Sequence, residues 1–235
     1  MTYIMGMQQL ILDLNYLSSF AKKDFYIGKP NEYAYAWINA WPKWPKWGLV
    51  IYGEKGCGKT HLAYIWQKLS KALFLNPESL QEKSASWYSF LEKTPQAVVI
   101  DFPENFDFFK TLEYQKNLLH FINFLNENGC QLLICHRQAP INWAGITLND
   151  LQSRLQAMVV IPVHQPDDQM FREILTKLSL ERGIPLSAYH INYLLKHSER
   201  SYQAAQDLIK FLDQISLSRG KPITINHLKN IINQN

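Results

Sequence analysis

One stretch decides the fold of this chain: Gly53-Glu54-Lys55-Gly56-Cys57-Gly58-Lys59-Thr60, with His61 directly after it. It has the spacing of glycines, a lysine and a hydroxyl residue that binds nucleotide phosphates. Glycines let the backbone turn so that several N–H groups point at one anion. The helix that begins here adds the positive end of its dipole. We therefore expect Lys59 to contact the terminal phosphates and Thr60 to bind Mg²⁺.

The residues on either side of this phosphate loop (residues 53–60) support the interpretation. An apolar run at 49–52 precedes it, and an amphipathic stretch at 61–71 follows it. A strand, a glycine loop and a helix in this order are the arrangement that confirms a nucleotide-binding loop. A glycine-rich turn that binds nothing is the less favoured alternative.

Composition indicates a globular protein of a reducing cytoplasm. Of the 235 residues, 47% are hydrophobic and 19% charged, and the net charge of +4 does not by itself indicate nucleic-acid binding. Cys130 and Cys135 lie an odd number of positions apart around one predicted strand, so they should face opposite ways, which argues against a disulfide or a metal site. Asp13 interrupts the N-terminal apolar stretch, so we predict no signal peptide. No apolar run reaches the roughly 18 residues that span a membrane.

The order of elements predicts an α/β domain followed by a helical one. Strands and helices alternate up to residue 164, which is typical of a parallel sheet covered on both faces, and only helical patterns follow. We assign 1–24 to an N-terminal segment, 25–164 to the α/β domain and 165–235 to a small all-α lid. The predicted strands are 49–52, 72–75, 97–100, 132–135 and 158–163. The predicted helices include 31–39, 61–71, 112–128, 167–182, 187–196, 201–218 and 224–233, with Asp167, Ser187 and Thr224 as N-caps.

The segment at 41–47 carries three tryptophans, two lysines and two prolines. The prolines interrupt a helix or a central strand. Stacking on nucleic-acid bases is one interpretation of the tryptophans and lysines. A packed connection into the first strand is favoured, because no other basic patch accompanies the segment.

A second motif supplies an acid. The apolar run at 97–100 ends in Asp101, which lies 42 residues after Lys59. A carboxylate at the end of a strand beside a phosphate loop can position Mg²⁺. Many nucleotide hydrolases follow this residue with a second acid that orients water, but here Phe102 and Pro103 follow, and Glu104 is the first acid beyond them. The sequence therefore predicts nucleotide binding with weak turnover.

Three stretches carry a resemblance to a known family. Residues 56–62, 118–134 and 147–155 are similar to the phosphate loop, the helix and strand before the first sensor, and the arginine-finger segment of the DnaA initiator. Order and spacing match a DnaA-related AAA+ ATPase over about residues 24–233. Because only helical patterns of a small lid follow the α/β part, we expect DnaA's C-terminal DNA-binding domain to be missing. The N-terminal peptide resembles the motif by which proteins dock on the DNA polymerase sliding clamp, and the residues concerned are Gln9, Leu10, Leu12 and Leu14. In both features the chain resembles members of the Hda family. In the segments at 41–47, 199–201 and 218–224 it resembles the alphaproteobacterial branch of that family.

The resemblance implies a regulator of replication initiation. It implies ADP or ATP with Mg²⁺ in the phosphate loop, and docking on the sliding clamp, the β subunit of DNA polymerase III. It also implies that Arg154, 18 residues after His136, acts as an arginine finger in trans on the ATP of DnaA. DNA would be contacted only through the clamp, no membrane is involved, and a homodimer is allowed.

The two sensor positions and the adenine contacts match the family pattern less closely. His136 is the candidate for the first sensor, although it could equally be a loop residue. The best register places Gln203 at the second sensor, with Arg200 one turn earlier as the alternative. Phe25 and Ile27 are candidates to cover the adenine face, and the same residues could belong to the core.

Two other functions stay open at this stage. An autonomous ATP-driven helicase loader, similar to DnaC, would need a working acid near Asp101. A DNA-bridging adaptor would use the lid without any nucleotide, which the intact Gly58-Lys59-Thr60 argues against.

Overall fold

The computed structural model describes residues 25–81, 95–219 and 228. The N-terminal segment 1–24 lies outside the described residues, and with it the predicted docking residues Gln9, Leu10, Leu12 and Leu14. Thr224 and the last predicted helix, except Leu228, also lie outside them.

The α/β domain is built on a five-stranded sheet with the order β2-β3-β4-β1-β5, in which every pair is parallel. The first strand therefore lies between the fourth and the fifth, in the interior of the sheet. This confirms the predicted α/β architecture, and the observed strand ends differ from the predicted ones by at most one residue. The strands are β1 (Gly48–Tyr52), β2 (Leu73–Leu75), β3 (Ala97–Asp101), β4 (Gln131–His136) and β5 (Val159–Pro162).

Helices cover both faces of this sheet, and each face has its own apolar core. Alternate residues of a strand enter opposite cores: Cys130 belongs to the cluster on one face and Cys135 to the cluster on the other, as predicted. Helices α1 and α2 contribute to the second face, α3 and α4 to the first. Their bounds are α1 (Glu32–Asn39), α2 (Lys59–Ser70), α3 (Leu112–Glu127) and α4 (Asn149–Gln156).

The tryptophan-rich segment is a packed connection. The Trp44 side chain is buried and stacks on Trp66 of α2, with ring centroids 5.0 Å apart and an interplanar angle of 11°. The Trp44 indole N–H donates to the carbonyl of Trp37, at 2.7 Å. A ring held in this way is not available to stack on a base.

The lid (the helical part after residue 164) has a separate apolar core, to which Leu228 also contributes. Asp167 and Ser187 cap its first two helices, because their side chains accept hydrogen bonds from the N–H groups of Met170 and His190. No helix among the described residues is both long and apolar enough to cross a bilayer. The lid helices are α5 (Asp168–Glu181), α6 (Ala188–His197) and α7 (Tyr202–Arg219).

Candidate nucleotide-binding site

A cleft of about 790 Å³ lies between the phosphate loop and the lid. Its floor is formed by the loop and the start of α2, and its walls by the segment before α1 and by α5 and α7. The loop follows β1 directly, so the cleft lies at the carboxyl end of an interior parallel strand. Open α/β sheets bind their ligands at this position.

The loop's path depends on its glycines. Gly56 and Gly58 have φ angles of 77° and 100°, in the left-handed region that side chains disfavour. Gly53 lies so close to the β5 side of the sheet that an added Cβ would stand 2.0 Å from the carbonyl oxygen of Val163. Gly58 is the N-cap of α2, so the free N–H groups of the first turn of α2 open towards the loop. Such an end is suited to an anion.

Lys59 spans the loop. Its Nζ donates to the carbonyls of Gly53 and Glu54, at 2.7 and 2.9 Å, and lies 3.7 Å from the Cys57 sulfur. Burial raises the pKa of the Cys57 thiol, while the nearby Lys59 charge lowers it in part. The ammonium is thus held at the mouth of the loop, where the phosphates of a nucleotide would lie.

Thr60 and Asp101 form the second half of the site. The Thr60 hydroxyl donates to Asp101 Oδ2 at 2.7 Å. Burial raises the pKa of Asp101, and the Thr60 hydrogen bond and the Lys59 charge lower it in part. Two oxygens of the kind that Mg²⁺ prefers therefore lie together. Among the described residues no group of three or more His, Cys, Asp or Glu side chains could hold a metal by itself, so a Mg²⁺ here would need oxygens from phosphate and water.

The residue after Asp101 turns away from this site. Phe102 is 5% exposed and lies in a cluster of rings, which we call the aromatic cluster. Glu104 is on the surface, where its carboxylate lies 3.8 Å from Lys55 Nζ, and it does not line the cleft. The aromatic cluster comprises Phe102, Phe106, Phe109, Tyr114, His136 and Trp143.

His136, the first-sensor candidate, packs into this aromatic cluster and not into the cleft. Its ring lies 4.4 Å from that of Trp143, and its Nδ1 accepts the N–H of Gln138 at 2.9 Å. The pleat explains the placement: Cys135 faces α2, so the next residue must face the other side. Burial lowers the pKa of His136 to about 4. Its backbone still serves the site, because the His136 carbonyl accepts the N–H of Gly53 at 3.1 Å.

The segment before α1 forms the wall where a base would lie. Phe25 lines the cleft, stacks on Tyr35 at 5.7 Å between centroids and meets His61 edge-on at 5.0 Å. The other predicted residue, Ile27, lies outside the wall and is 51% exposed. Tyr26, which the sequence interpretation missed, takes part in the wall instead. No signal in the sequence distinguishes the two, because both are bulky residues in one extended stretch.

The lid supplies the opposite wall. Gln203 lines the cleft, and its amide donates to both carboxylate oxygens of Asp207, at 3.0 and 3.1 Å. Arg200, the alternative second sensor, lies outside the wall and pairs with Asp168 at the start of α5. The carboxylate of Asp207 in the wall is a feature that sequence reasoning did not identify.

Arg154 lies apart from this cleft. It is exposed on the last turn of α4, and it does not line the wall. No salt bridge joins Arg154 to any residue of the described part of the chain. Within the described part of the chain, the Arg154 guanidinium is therefore exposed and makes no ion pair.

Two family models match the chain. The bacterial DnaA ATPase domain matches residues 16–162, more than half of the chain, and the Hda lid domain matches residues 167–232. A protein of unassigned function from Haemophilus influenzae is 23% identical over 198 residues, which cover 79% of this chain and 81% of the relative. The replication initiator DnaA of Campylobacter jejuni is 25% identical over 230 residues, 91% of this chain and 52% of the relative. The chain thus spans about half the length of this DnaA relative.

Solved structures show the same fold. Domain III of DnaA from Thermotoga maritima superposes with a TM-score of 0.76 at 22% identity, covering 91% of this chain and 97% of that one. AMPPCP-bound DnaA from Aquifex aeolicus gives a TM-score of 0.69 at 18% identity, with coverage of 86% and 68%.

Proposed function

Since this chain belongs to the family of bacterial DnaA ATPase domains and carries an Hda-type lid, we propose that it is an Hda-like regulator of replication initiation. In this proposal it binds an adenine nucleotide, docks on the sliding clamp and stimulates ATP hydrolysis by DnaA in the cytoplasm. The observation that carries the proposal is the position of Arg154, which is exposed and lies outside the chain's own cleft.

The nucleotide, ADP or ATP, would occupy the cleft between loop and lid. The N–H groups of the loop and the Lys59 ammonium would bind its phosphates, and Thr60 and Asp101 would hold Mg²⁺. When bound, Mg²⁺ neutralises phosphate charge. The AMPPCP bound to a DnaA of the same fold supports this assignment. Phe25 and Tyr26 would lie against the base.

The chain's own turnover should be slow. A water that attacks the terminal phosphate needs a group that orients it, and the position after Asp101 holds Phe102, buried among rings. The nucleotide would therefore stabilise the arrangement of loop and lid more than serve as a fuel.

The arginine would act in trans. A guanidinium that reaches the transferred phosphoryl group stabilises the charge that develops there and can be worth about 10³–10⁵ in rate. Arg154 can supply this charge only to a nucleotide held by a neighbouring molecule, because it lies outside its own cleft. The partner proposed is ATP-loaded DnaA.

Docking on the clamp rests on the N-terminal peptide. Leucines spaced along an extended chain can fill neighbouring apolar pockets, while a glutamine amide fixes the register. In this chain Leu10, Leu12 and Leu14 would fill the pockets and Gln9 would set the register.

The test follows phosphate release from ATP-loaded DnaA, with and without DNA-loaded clamp. We expect the wild-type chain to accelerate release when the clamp is present. Arg154→Ala should abolish the acceleration and keep clamp binding. The matched control is Arg172→Ala, which removes another exposed arginine, on α5, and should stimulate like wild type. If Arg154→Ala stimulates as well as the control, the finger assignment is wrong.

The docking half has a separate test. Gln9→Ala combined with Leu10→Ala should lower the affinity for the clamp strongly, whereas Gln8→Ala, the neighbouring glutamine, should not. Binding is measured directly with purified clamp, so it does not depend on DnaA. Equal affinities for the two variants would remove the docking half of the proposal.

A further inference from the structure

One buried amide connects two loops beside α4. Gln115, near the start of α3, is 1% exposed. Its Oε1 accepts the N–H groups of Thr147 and Leu148, both at 2.9 Å, and lies 3.4 Å from the Thr147 hydroxyl. Its Nε2 donates to the carbonyls of Phe109 and Gly145, at 2.7 and 2.8 Å. The Gln115 side chain thus forms hydrogen bonds with two separate segments, one at Phe109 and the other at 145–148.

The acceptor side of Gln115 serves the beginning of α4. The N-cap residue of this helix is Leu148, whose side chain makes no capping hydrogen bond. The first N–H groups of a helix need a partner from outside it. Gln115 supplies one for Leu148 from a different helix, so the starting point of α4 is fixed by α3.

The donor side of Gln115 reaches the segment that follows β3. Phe109 belongs to the aromatic cluster, with its ring 5.1 Å from that of Phe102, the residue after Asp101. Gly145 has a φ of 89°, and a Cβ added there would meet Lys110 at 3.2–3.3 Å. The two loops therefore touch where Gln115 joins them, and the junction ties the start of α4 to the segment that follows Asp101.

Apolar packing alone does not set the position of α4 along its axis. Leu151 and Leu155 are fully buried and hold α4 against the core. Apolar contact is non-directional, whereas hydrogen bonds require defined distances and angles. Arg154 lies six residues after Leu148, about 9 Å along the helix, so a shift at the start of α4 moves the guanidinium with it.

We propose that Gln115 is a positioning residue for Arg154: through the N–H groups of Thr147 and Leu148 it sets where α4 presents the guanidinium to the neighbouring nucleotide. The inference rests on the proposed function. Misplacement of a catalytic group by about 1 Å can cost on the order of 100-fold in rate.

The first test measures stimulated phosphate release from ATP-loaded DnaA over a range of regulator concentrations, with clamp present. Gln115→Leu should lower the maximal rate about 10- to 100-fold, with the half-saturating concentration and ADP retention unchanged. Gln115→Glu keeps an acceptor oxygen for both N–H groups and should recover part of the rate. If Gln115→Leu fails to retain ADP, Gln115→Glu is compared with wild type instead, and its maximal rate should still be lower than that of wild type.

The matched control is Asn117→Leu. Asn117 is an equally buried amide on α3, but it donates to the carbonyls of Leu80 and Gln81, at 3.0 and 3.5 Å, and makes no contact with α4 among its hydrogen bonds. It should lose stability and keep the maximal rate. An equal fall in maximal rate for Asn117→Leu and Gln115→Leu would show general destabilisation and overturn the inference.

The second test needs no DnaA. Amide hydrogen exchange at Thr147 and Leu148 should be faster in Gln115→Leu than in wild type, and unchanged in Asn117→Leu. Unchanged exchange in Gln115→Leu would overturn the inference. If wild type stimulates DnaA, a maximal rate for Gln115→Leu equal to that of wild type would also overturn it. If wild type does not stimulate DnaA at all, the proposed function fails, and exchange at these two amides still decides whether Gln115 fixes the start of α4.

Discussion

Ser201, the residue before α7, lies directly against Gly56 of the phosphate loop: a Cβ added to Gly56 would stand 2.5 Å from the serine Cβ. The N–H of Tyr202 also points to the carbonyl of Gly56, at 3.4 Å. The lid therefore touches the loop without any side chain from the loop between them. A change at Gly56 should disturb the lid and the phosphate site together.

We expect Gly56→Ala to destabilise the protein more than the same substitution does at a left-handed glycine that has free space around it. Gly56 has a φ of 77°, and Gly183 a φ of 67° with nothing within 4 Å of an added Cβ. Gly183→Ala thus measures backbone strain alone, about 1 kcal/mol. Gly56→Ala adds the clash with Ser201, a further 1–3 kcal/mol or so. Urea unfolding of the two variants gives the difference, and equal losses would contradict the close contact.

The same contact predicts a rescue. Ser201→Gly removes the atom that the new methyl group would meet. The Ser201 hydroxyl accepts the N–H of Ala204 at 3.0 Å and so caps α7, and replacing a capping serine by glycine costs only about a few tenths of a kcal/mol. Adding Ser201→Gly to Gly56→Ala should restore both stability and ADP affinity towards the values for Gly183→Ala. An additive loss in the double variant would show that Ser201 is not the obstacle.

Asp101→Asn should separate stability from binding. Burial raises the pKa of Asp101, so the folded protein tolerates its ionised form poorly at neutral pH, and removing the charge should stabilise the nucleotide-free protein by about 1 kcal/mol. The affinity for ADP with Mg²⁺ should fall at least about tenfold, because a carboxylate ligand is lost. Urea unfolding and calorimetric titration measure the two effects. Asp107→Asn, at an exposed carboxylate paired with Lys110, should change neither, and a loss of stability in Asp101→Asn would contradict the argument.

Much of this arrangement was predictable because local signals specify it. The strands are short apolar runs bounded by polar residues, and buried parallel strands have this pattern. The phosphate loop depends on glycines at fixed spacing, and the lid helices begin at residues whose side chains cap them, Asp167 and Ser187. Each of these signals lies within a few residues of the structure that it produces.

The rest depends on contacts between distant segments. The role of Gln115 arises only when the loops at 109 and 145–148 meet beside α3. His136 ends a strand at the expected place, but the direction of its side chain follows from the pleat of β4 and from the rings around it. Tyr26 instead of Ile27 lines the cleft because the lid meets that segment from one side. The spacing of nearby residues in the sequence predicts none of these three placements.

The partly buried His136 predicts a pH dependence of stability. Its pKa in the folded protein is about 4, below the ordinary value of 6.5. The unfolded chain therefore takes up the proton first as pH falls, so the contribution of His136 is complete above pH 6.5 and is lost as the pH falls through 4. The free energy of unfolding of wild type should drop between pH 7 and 4 by on the order of 2 kcal/mol more than that of His136→Phe. His120→Gln, at an exposed histidine on α3, should follow wild type, and parallel curves for His136→Phe and wild type would contradict the burial of a neutral ring.

The role of Glu104 in hydrolysis distinguishes a regulator from an autonomous motor. Its carboxylate lies on the surface, 3.8 Å from Nζ of the still more exposed Lys55, and outside the cleft, so the ion pair is worth no more than about 1 kcal/mol. A helicase loader would need this acid to orient water, since Phe102 cannot.

We expect Glu104→Gln to leave intrinsic phosphate release from ATP unchanged, with and without single-stranded DNA. Lys59→Ala is the positive control and should abolish nucleotide retention, because it removes the ammonium that spans the loop. A wild-type rate that is fast, rises with single-stranded DNA and falls tenfold or more in Glu104→Gln would favour the motor. A slow rate that neither DNA nor Glu104→Gln alters agrees with a chain that keeps its own nucleotide and offers Arg154 to the reaction of another molecule.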